Sequence, residues 1–197
     1  MKAQLAYPLN TREPTEREAM RQLAVREMCA AVASPLASAL LAYTLSGQVD
    51  AQRLEWWLIA QVVFAMSSLL LAFLLRRKLD SSSARNKVVR YLMVSLTLEA
   101  LTWGAAPVFL IAADPVYNVL TLAYICVASS LALHTLCLHG PSMVLFLMCL
   151  MLPSTISHLT ASDTLNLFMG LGALMVLGLS LFFGLISGRL AREGINA

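Results

Sequence analysis

The stretch LNLFMGLGALMVLGLSLFFGLI, from Leu165 to Ile186, decides the fold class of this chain. It carries no charged side chain, and it exceeds the ~20 apolar residues that a helix needs to cross a ~30 Å hydrocarbon core. Arg189 and Arg192 follow directly, as is typical where a helix leaves the bilayer on the cytoplasmic side. The stretch therefore predicts a membrane-spanning helix.

The composition extends this prediction to the whole chain. Of its 197 residues, 59% are hydrophobic and 13% are charged, whereas a soluble domain usually carries about 25% charged residues. The length suits about six spanning helices with short loops, and it leaves no room for a soluble catalytic domain of ordinary size. We predict an all-α polytopic membrane protein with about six transmembrane helices.

Five further apolar runs precede the last one, at about 29–45, 56–75, 89–112, 116–138 and 142–159. Residues 1–28 are predicted to form a cytoplasmic leader, which is either a solvated segment or includes a short amphipathic helix on the membrane surface. Residues 29–190 would form the transmembrane domain, and residues 191–197 a cytoplasmic stub.

Basic residues are distributed unevenly between the connections. The segment 76–90, where the second run ends and the third begins, carries six basic residues against one acid, and Arg189 and Arg192 flank the sixth run on the same side. The connections on the other side hold mostly acids: Asp50, Arg53, Glu55, Asp114 and Asp163. Because short loops rich in Lys and Arg stay in the cytoplasm, we predict that both termini are cytoplasmic.

Glu99 stands in the middle of the third run, where a carboxylate costs at least ~2.5 kcal/mol on insertion. It should therefore face the bundle interior or be protonated. Two roles stay open: contact with a ligand or proton, and a neutral glutamic acid that bonds to a neighbouring helix. We take Glu99, the nearby Trp103 and His134 as candidate ligand-binding residues.

The histidines and cysteines do not converge on one position. His134 and Cys137 lie near the cytoplasmic end of the fourth run, whereas His158 lies near the opposite side of the bilayer. We therefore predict no metal site and no cofactor, and we interpret the four cysteines as reduced packing residues.

The sixth run ends in Gly184-x-x-x-Gly188, a spacing of small residues that lets two helices approach closely. The pattern fits the interface of a homodimer and packing inside a single bundle equally well. We predict Gly184 and Gly188 as dimer-interface residues, with internal packing as the alternative.

Motifs of the common enzyme classes are missing. The chain has no Walker loop, no HExxH and no GxSxG. We therefore predict no catalytic residues and no enzyme activity. A membrane enzyme that uses Glu99 and a histidine is the least favoured interpretation.

Several short features occur together in the order expected of a known family. They are the basic connection after the second run, the steps Trp103-Gly104, Asp114-Pro115 and Leu152-Pro153, and the last glycine- and leucine-rich run. This layout, over about 15–192, resembles the six-helix N-terminal sensor region of bacterial diguanylate cyclases (GGDEF) and sensor histidine kinases.

The resemblance implies a sensory input module in the bacterial inner membrane. It would detect a small or lipophilic ligand, or a membrane state, and relay the signal through the sixth helix to a cytoplasmic output domain or partner. Membrane lipid and a second copy of the chain are the other expected partners, and nucleic acid is not. Because the sequence stops at Ala197, where a signalling helix would begin, it is either a truncated sensor or a stand-alone relative. The alternative function is a small carrier or permease subunit in which Glu99 couples protons.

Overall fold

A computed structural model describes residues 12–78, 82–137 and 139–196 of the chain. Every regular element in these residues is an α-helix. The six helices are α1 (Arg12–Leu45), α2 (Ala51–Arg77), α3 (Ser82–Phe109), α4 (Pro115–Leu136), α5 (Gly140–Thr160) and α6 (Thr164–Asn196). Residues 1–11 of the predicted leader and Ala197 of the predicted stub lie outside the described residues.

The fold class predicted from the sequence is confirmed. All six helices are long and apolar enough to cross a membrane. Large apolar side chains also cover the outside of the bundle, as Leu36, Phe168 and Phe182 do with 69%, 67% and 58% of their surface exposed. Water would penalise such a surface, whereas lipid tails solvate it. The chain is a multi-pass, all-α membrane protein.

The first helix joins the predicted leader to the first predicted span. The sequence predicts a short helix up to Met28 that runs into a span from Cys29, and α1 is one helix from Arg12 to Leu45 with Pro35 inside it. A proline is tolerated in a membrane helix where neighbouring groups satisfy the freed backbone. Because α1 continues without a break, the charged residues before Cys29 belong to the same helix as the apolar residues after it.

The helices pack in an order that places α3 at the centre of the polar interior. Helix α1 packs on α2, α2 packs on α3, α3 packs on α5, and α5 packs on α6. Helix α4 touches α1, α3, α5 and α6. The contact between α3 and α5 is unusually close, because a Cβ atom at Gly104 would lie 2.5 Å from the backbone oxygens of Cys149 and Leu150.

Three acids of the predicted outer connections are helix caps. The carboxylates of Asp50, Asp114 and Asp163 accept hydrogen bonds from the backbone N–H groups of Arg53, Val116 and Asn166, at 2.9, 2.9 and 2.8 Å. Each bond satisfies a donor that the first turn of a helix leaves unpaired. Hydrogen bonds from the backbone and side chain of Asn166 hold the pKa of Asp163 below its ordinary value.

Candidate functional site

The carboxyl group of Glu99 lies inside the bundle, as the sequence predicted. Its residue is 6% exposed. Ser34 Oγ of α1 donates a hydrogen bond to Glu99 Oε1 at 2.6 Å, and Ser68 Oγ of α2 donates to Oε2 at 3.3 Å. Both oxygens therefore have donors from neighbouring helices, which lowers the cost of burying the group.

Trp103 belongs to the same polar cluster. Its Nε1 donates to Ser34 Oγ at 3.4 Å, and its ring meets that of Trp57 edge-to-face with centroids 5.4 Å apart. Trp57 in turn donates from Nε1 to the backbone oxygen of Thr102 at 2.9 Å, and Gln61 donates to the Thr102 hydroxyl at 3.0 Å. These bonds tie α1, α2 and α3 together around Glu99 and fix the position of its carboxyl group.

A second acid, Glu27, accompanies Glu99 and was not among the site residues predicted from the sequence. Glu27 is 3% exposed, and its Oε2 has no hydrogen-bond partner. The two carboxyl groups are close enough to interact electrostatically. The signal was present in the sequence, since Glu27 lies two helical turns before Ser34 and so on the same face of α1. That signal was hidden because the first span was taken to begin at Cys29.

Both acids line one cavity of about 190 Å³ between α1, α3 and α4. Its walls are otherwise made mainly of alanines, larger aliphatic side chains and aromatic rings. They comprise Ala30, Ala33, Ser34, Ala37, Leu40, Leu96, Trp103, Tyr124, Val127, Ala128, Leu131, Ala132, Thr135, Leu136 and Phe146. The alanines of α1 open the space, because larger side chains there would fill it.

The cavity is long and reaches the lipid-facing surface. Glu27 and Leu40 both line it, and at 1.5 Å per residue they are about 20 Å apart along α1. Leu40 and Val127 are 56% and 69% exposed, so the gap between α1 and α4 opens sideways toward the bilayer. A molecule dissolved in the membrane can enter without crossing the protein interior.

The cavity is acidic, and the described residues that line it supply no positive charge to balance Glu27 and Glu99. Among the described lining residues there is no Lys or Arg. The nearby Arg26 is directed elsewhere, since its Nη1 donates to the backbone oxygen of His134 at 2.8 Å and approaches Cys137 Sγ at 3.5 Å. An apolar, carboxyl-bearing cavity can hold a proton, a cation or a hydrogen-bond donor.

His134, the third predicted ligand-binding residue, does not join Glu99 and Trp103. Its side chain is exposed and lines an adjacent depression with Arg26 and Cys29. His158 lies elsewhere, with Nδ1 2.7 Å from Asn166 Oδ1. Within the described residues no group of three or more His, Cys, Asp or Glu side chains is arranged to hold a metal ion.

The predicted dimer-interface glycine Gly184 is used inside the bundle. A Cβ atom there would meet Met143 of α5 and lie 2.7 Å from Leu133 Cδ2 of α4. Gly188, one turn further on, is also buried. The internal-packing alternative therefore holds for Gly184, which is covered by its own chain. A homodimer, with Gly184 and Gly188 at its interface, stays a prediction.

Comparison with protein-family models, curated proteins and solved structures finds no match to this chain. Any function must therefore be argued from the cavity itself.

Proposed function

We propose that this protein is a sensory input module of the bacterial inner membrane that binds a ligand in the cavity between α1, α3 and α4. The observation that carries the proposal is the presence of Glu27 and Glu99 together in one apolar, laterally open cavity. Burying two acids in one cavity is costly, and ionisable groups inside a membrane are functional candidates for that reason. No catalytic role is proposed for either acid.

The packing of α4 supports a route from this cavity to the sixth helix. Leu131, Ala132 and Thr135 of α4 line the cavity. Leu133, on the same segment, packs on α6 at Gly184. A ligand that fits one position of α4 better than another would therefore also bias the position of α6, since a ligand shifts an equilibrium only through such a difference in affinity. The signal would leave through the cytoplasmic end of α6.

This proposal needs both termini in the cytoplasm. We expect reporters fused after Lys87 and after Arg189 to be cytoplasmic, and one inserted near Asp163 to be periplasmic, because basic residues concentrate on the first side. Paired alkaline phosphatase and green fluorescent protein fusions measure this. A periplasmic signal after Lys87 would rule out the proposed orientation.

The same pair of acids also supports a second candidate, a proton-coupled carrier, since carboxyl groups in a membrane cavity can load and release protons. The two functions differ in whether the protein carries protons across the membrane. In proteoliposomes with a trapped pH dye and an imposed membrane potential, we expect the same proton leak with the protein as without it. Glu99→Gln should leave that leak unchanged. A protein-dependent flux that Glu99→Gln abolishes would favour the carrier and contradict the sensor.

A further inference from the structure

The shape of the cavity restricts what it can hold. A cavity of 150 Å³ is large enough for benzene, and this one has about 190 Å³ spread along about 20 Å of α1. A bulky ring system would not fit such a narrow space, whereas a single extended hydrocarbon chain would. The side opening at Leu40 and Val127 faces the bilayer, where chain-bearing molecules dissolve.

The charge of the cavity restricts the polar end of the ligand. Glu27 and Glu99 interact with each other, and no described residue forms an ion pair with either. Glu27 Oε2 is buried without a hydrogen-bond partner, which is costly in an apolar site. A cationic donor would satisfy this oxygen and also stabilise a carboxylate in the cavity, whereas a neutral hydroxyl would do only the first.

Aromatic side chains add a third feature that suits a cation. Trp103, Tyr124 and Phe146 come from three different helices and all line the cavity. Ring faces attract ammonium groups, and the attraction grows where water is excluded. Acids and aromatic rings together are the usual means of binding amines.

From these observations we infer that the ligand is an amphiphile with a protonated amine at the end of a slim hydrocarbon chain. The amine would lie near Glu27 and Glu99, and the chain would follow the alanine face of α1 toward Leu40. The inference rests on the proposed function and names the ligand class for the same cavity.

The test compares three molecules of equal chain length that differ in the charge of the head group: octylamine, octanol and octanoate. The full chain is placed in phosphatidylcholine nanodiscs at pH 7, and binding is followed through tryptophan fluorescence, because Trp103 lines the cavity. Empty nanodiscs correct for partition into lipid. We expect octylamine to bind about tenfold or more tightly than octanol, since hydrogen bonds between charged partners are the strong ones. Octanoate should bind weakest, because no described lining residue offers a positive charge to its carboxylate.

Variants of the two cavity acids test whether these acids cause the preference for octylamine. Glu27→Gln and, separately, Glu99→Gln should each reduce the preference for octylamine over octanol by about tenfold. Glu55→Gln, which removes an exposed acid outside the cavity, should retain it. Equal binding of octanol and octylamine, or an amine preference that survives both cavity variants, would overturn the amine inference and leave a ligand site in place. Absence of saturable binding by all three molecules would overturn the ligand site and with it the proposed function.

Discussion

The substitution Gly104→Ala is expected to lower the free energy of unfolding by about 3 kcal/mol, a large effect for one methyl group. A Cβ atom there would lie 2.5 Å from the backbone oxygens of Cys149 and Leu150. Because backbone atoms cannot rotate out of the way as a side chain can, α5 would have to move as a whole. Thermal unfolding of the purified protein, followed by circular dichroism, measures the loss.

A matched control is available in α6. A Cβ atom at Gly172 would meet nothing within 4 Å, and replacing glycine by alanine inside a helix is otherwise favourable by about 0.5–1 kcal/mol. Gly172→Ala should therefore unfold at or slightly above the wild-type temperature. Equal unfolding temperatures for Gly104→Ala and the wild type would contradict the close packing of α3 on α5.

The substitution Gly184→Leu is expected to displace α6 and to uncouple its position from binding in the cavity. The new side chain would occupy the space of Met143 and Leu133, and overpacking of this kind costs about 1–3 kcal/mol. We expect a lower unfolding temperature in detergent, while octylamine binding persists, because the cavity lining does not include Gly184.

Gly178→Leu is the control for this substitution. Gly178 lies on the same helix, is exposed, and has open space where a Cβ atom would stand. Its leucine variant should unfold like the wild type. If Gly184→Leu kept wild-type stability and instead lowered the yield of cross-linked dimer, Gly184 would belong to an interface between copies.

The fold was predictable because the bilayer fixes the length of each apolar run, and the runs in this sequence are separated by short polar segments. Helices α4 and α5 accordingly follow the predicted spans to within two residues at each end, and α2 and α6 contain theirs and extend beyond them. At α1, alternating charges such as those of Arg26 and Glu27 are typical of a surface helix, so the sequence did not indicate that Glu27 is buried. The burial of Glu27 depends on which helices surround it, and the lengths of the apolar runs do not reveal how the helices are arranged.

The site was predictable in part for the same reason. The position of Glu99 inside an apolar run already required an interior partner, and Trp103 lies one turn from it on the same helix. The partners themselves, Ser34 and Ser68, come from other helices and depend on the packing of α1 and α2 on α3. His134 is next to Thr135, an α4 residue that lines the cavity, but the side chain of His134 is exposed outside it. The position of His134 in the sequence did not show to which side of α4 its side chain points.

The central claim is that occupancy of the carboxyl-lined cavity moves α6. Its most direct test is a distance measurement between spin labels at Arg77→Cys on α2 and Ser187→Cys on α6, both exposed positions, after the four native cysteines are replaced by serine or alanine. Double electron–electron resonance in nanodiscs should show a shift of about 1–2 Å on saturation with octylamine, the usual size of a helix shift in a switch. In Glu27→Gln the same shift should require about tenfold more octylamine. Identical distance distributions with and without bound octylamine would contradict the account.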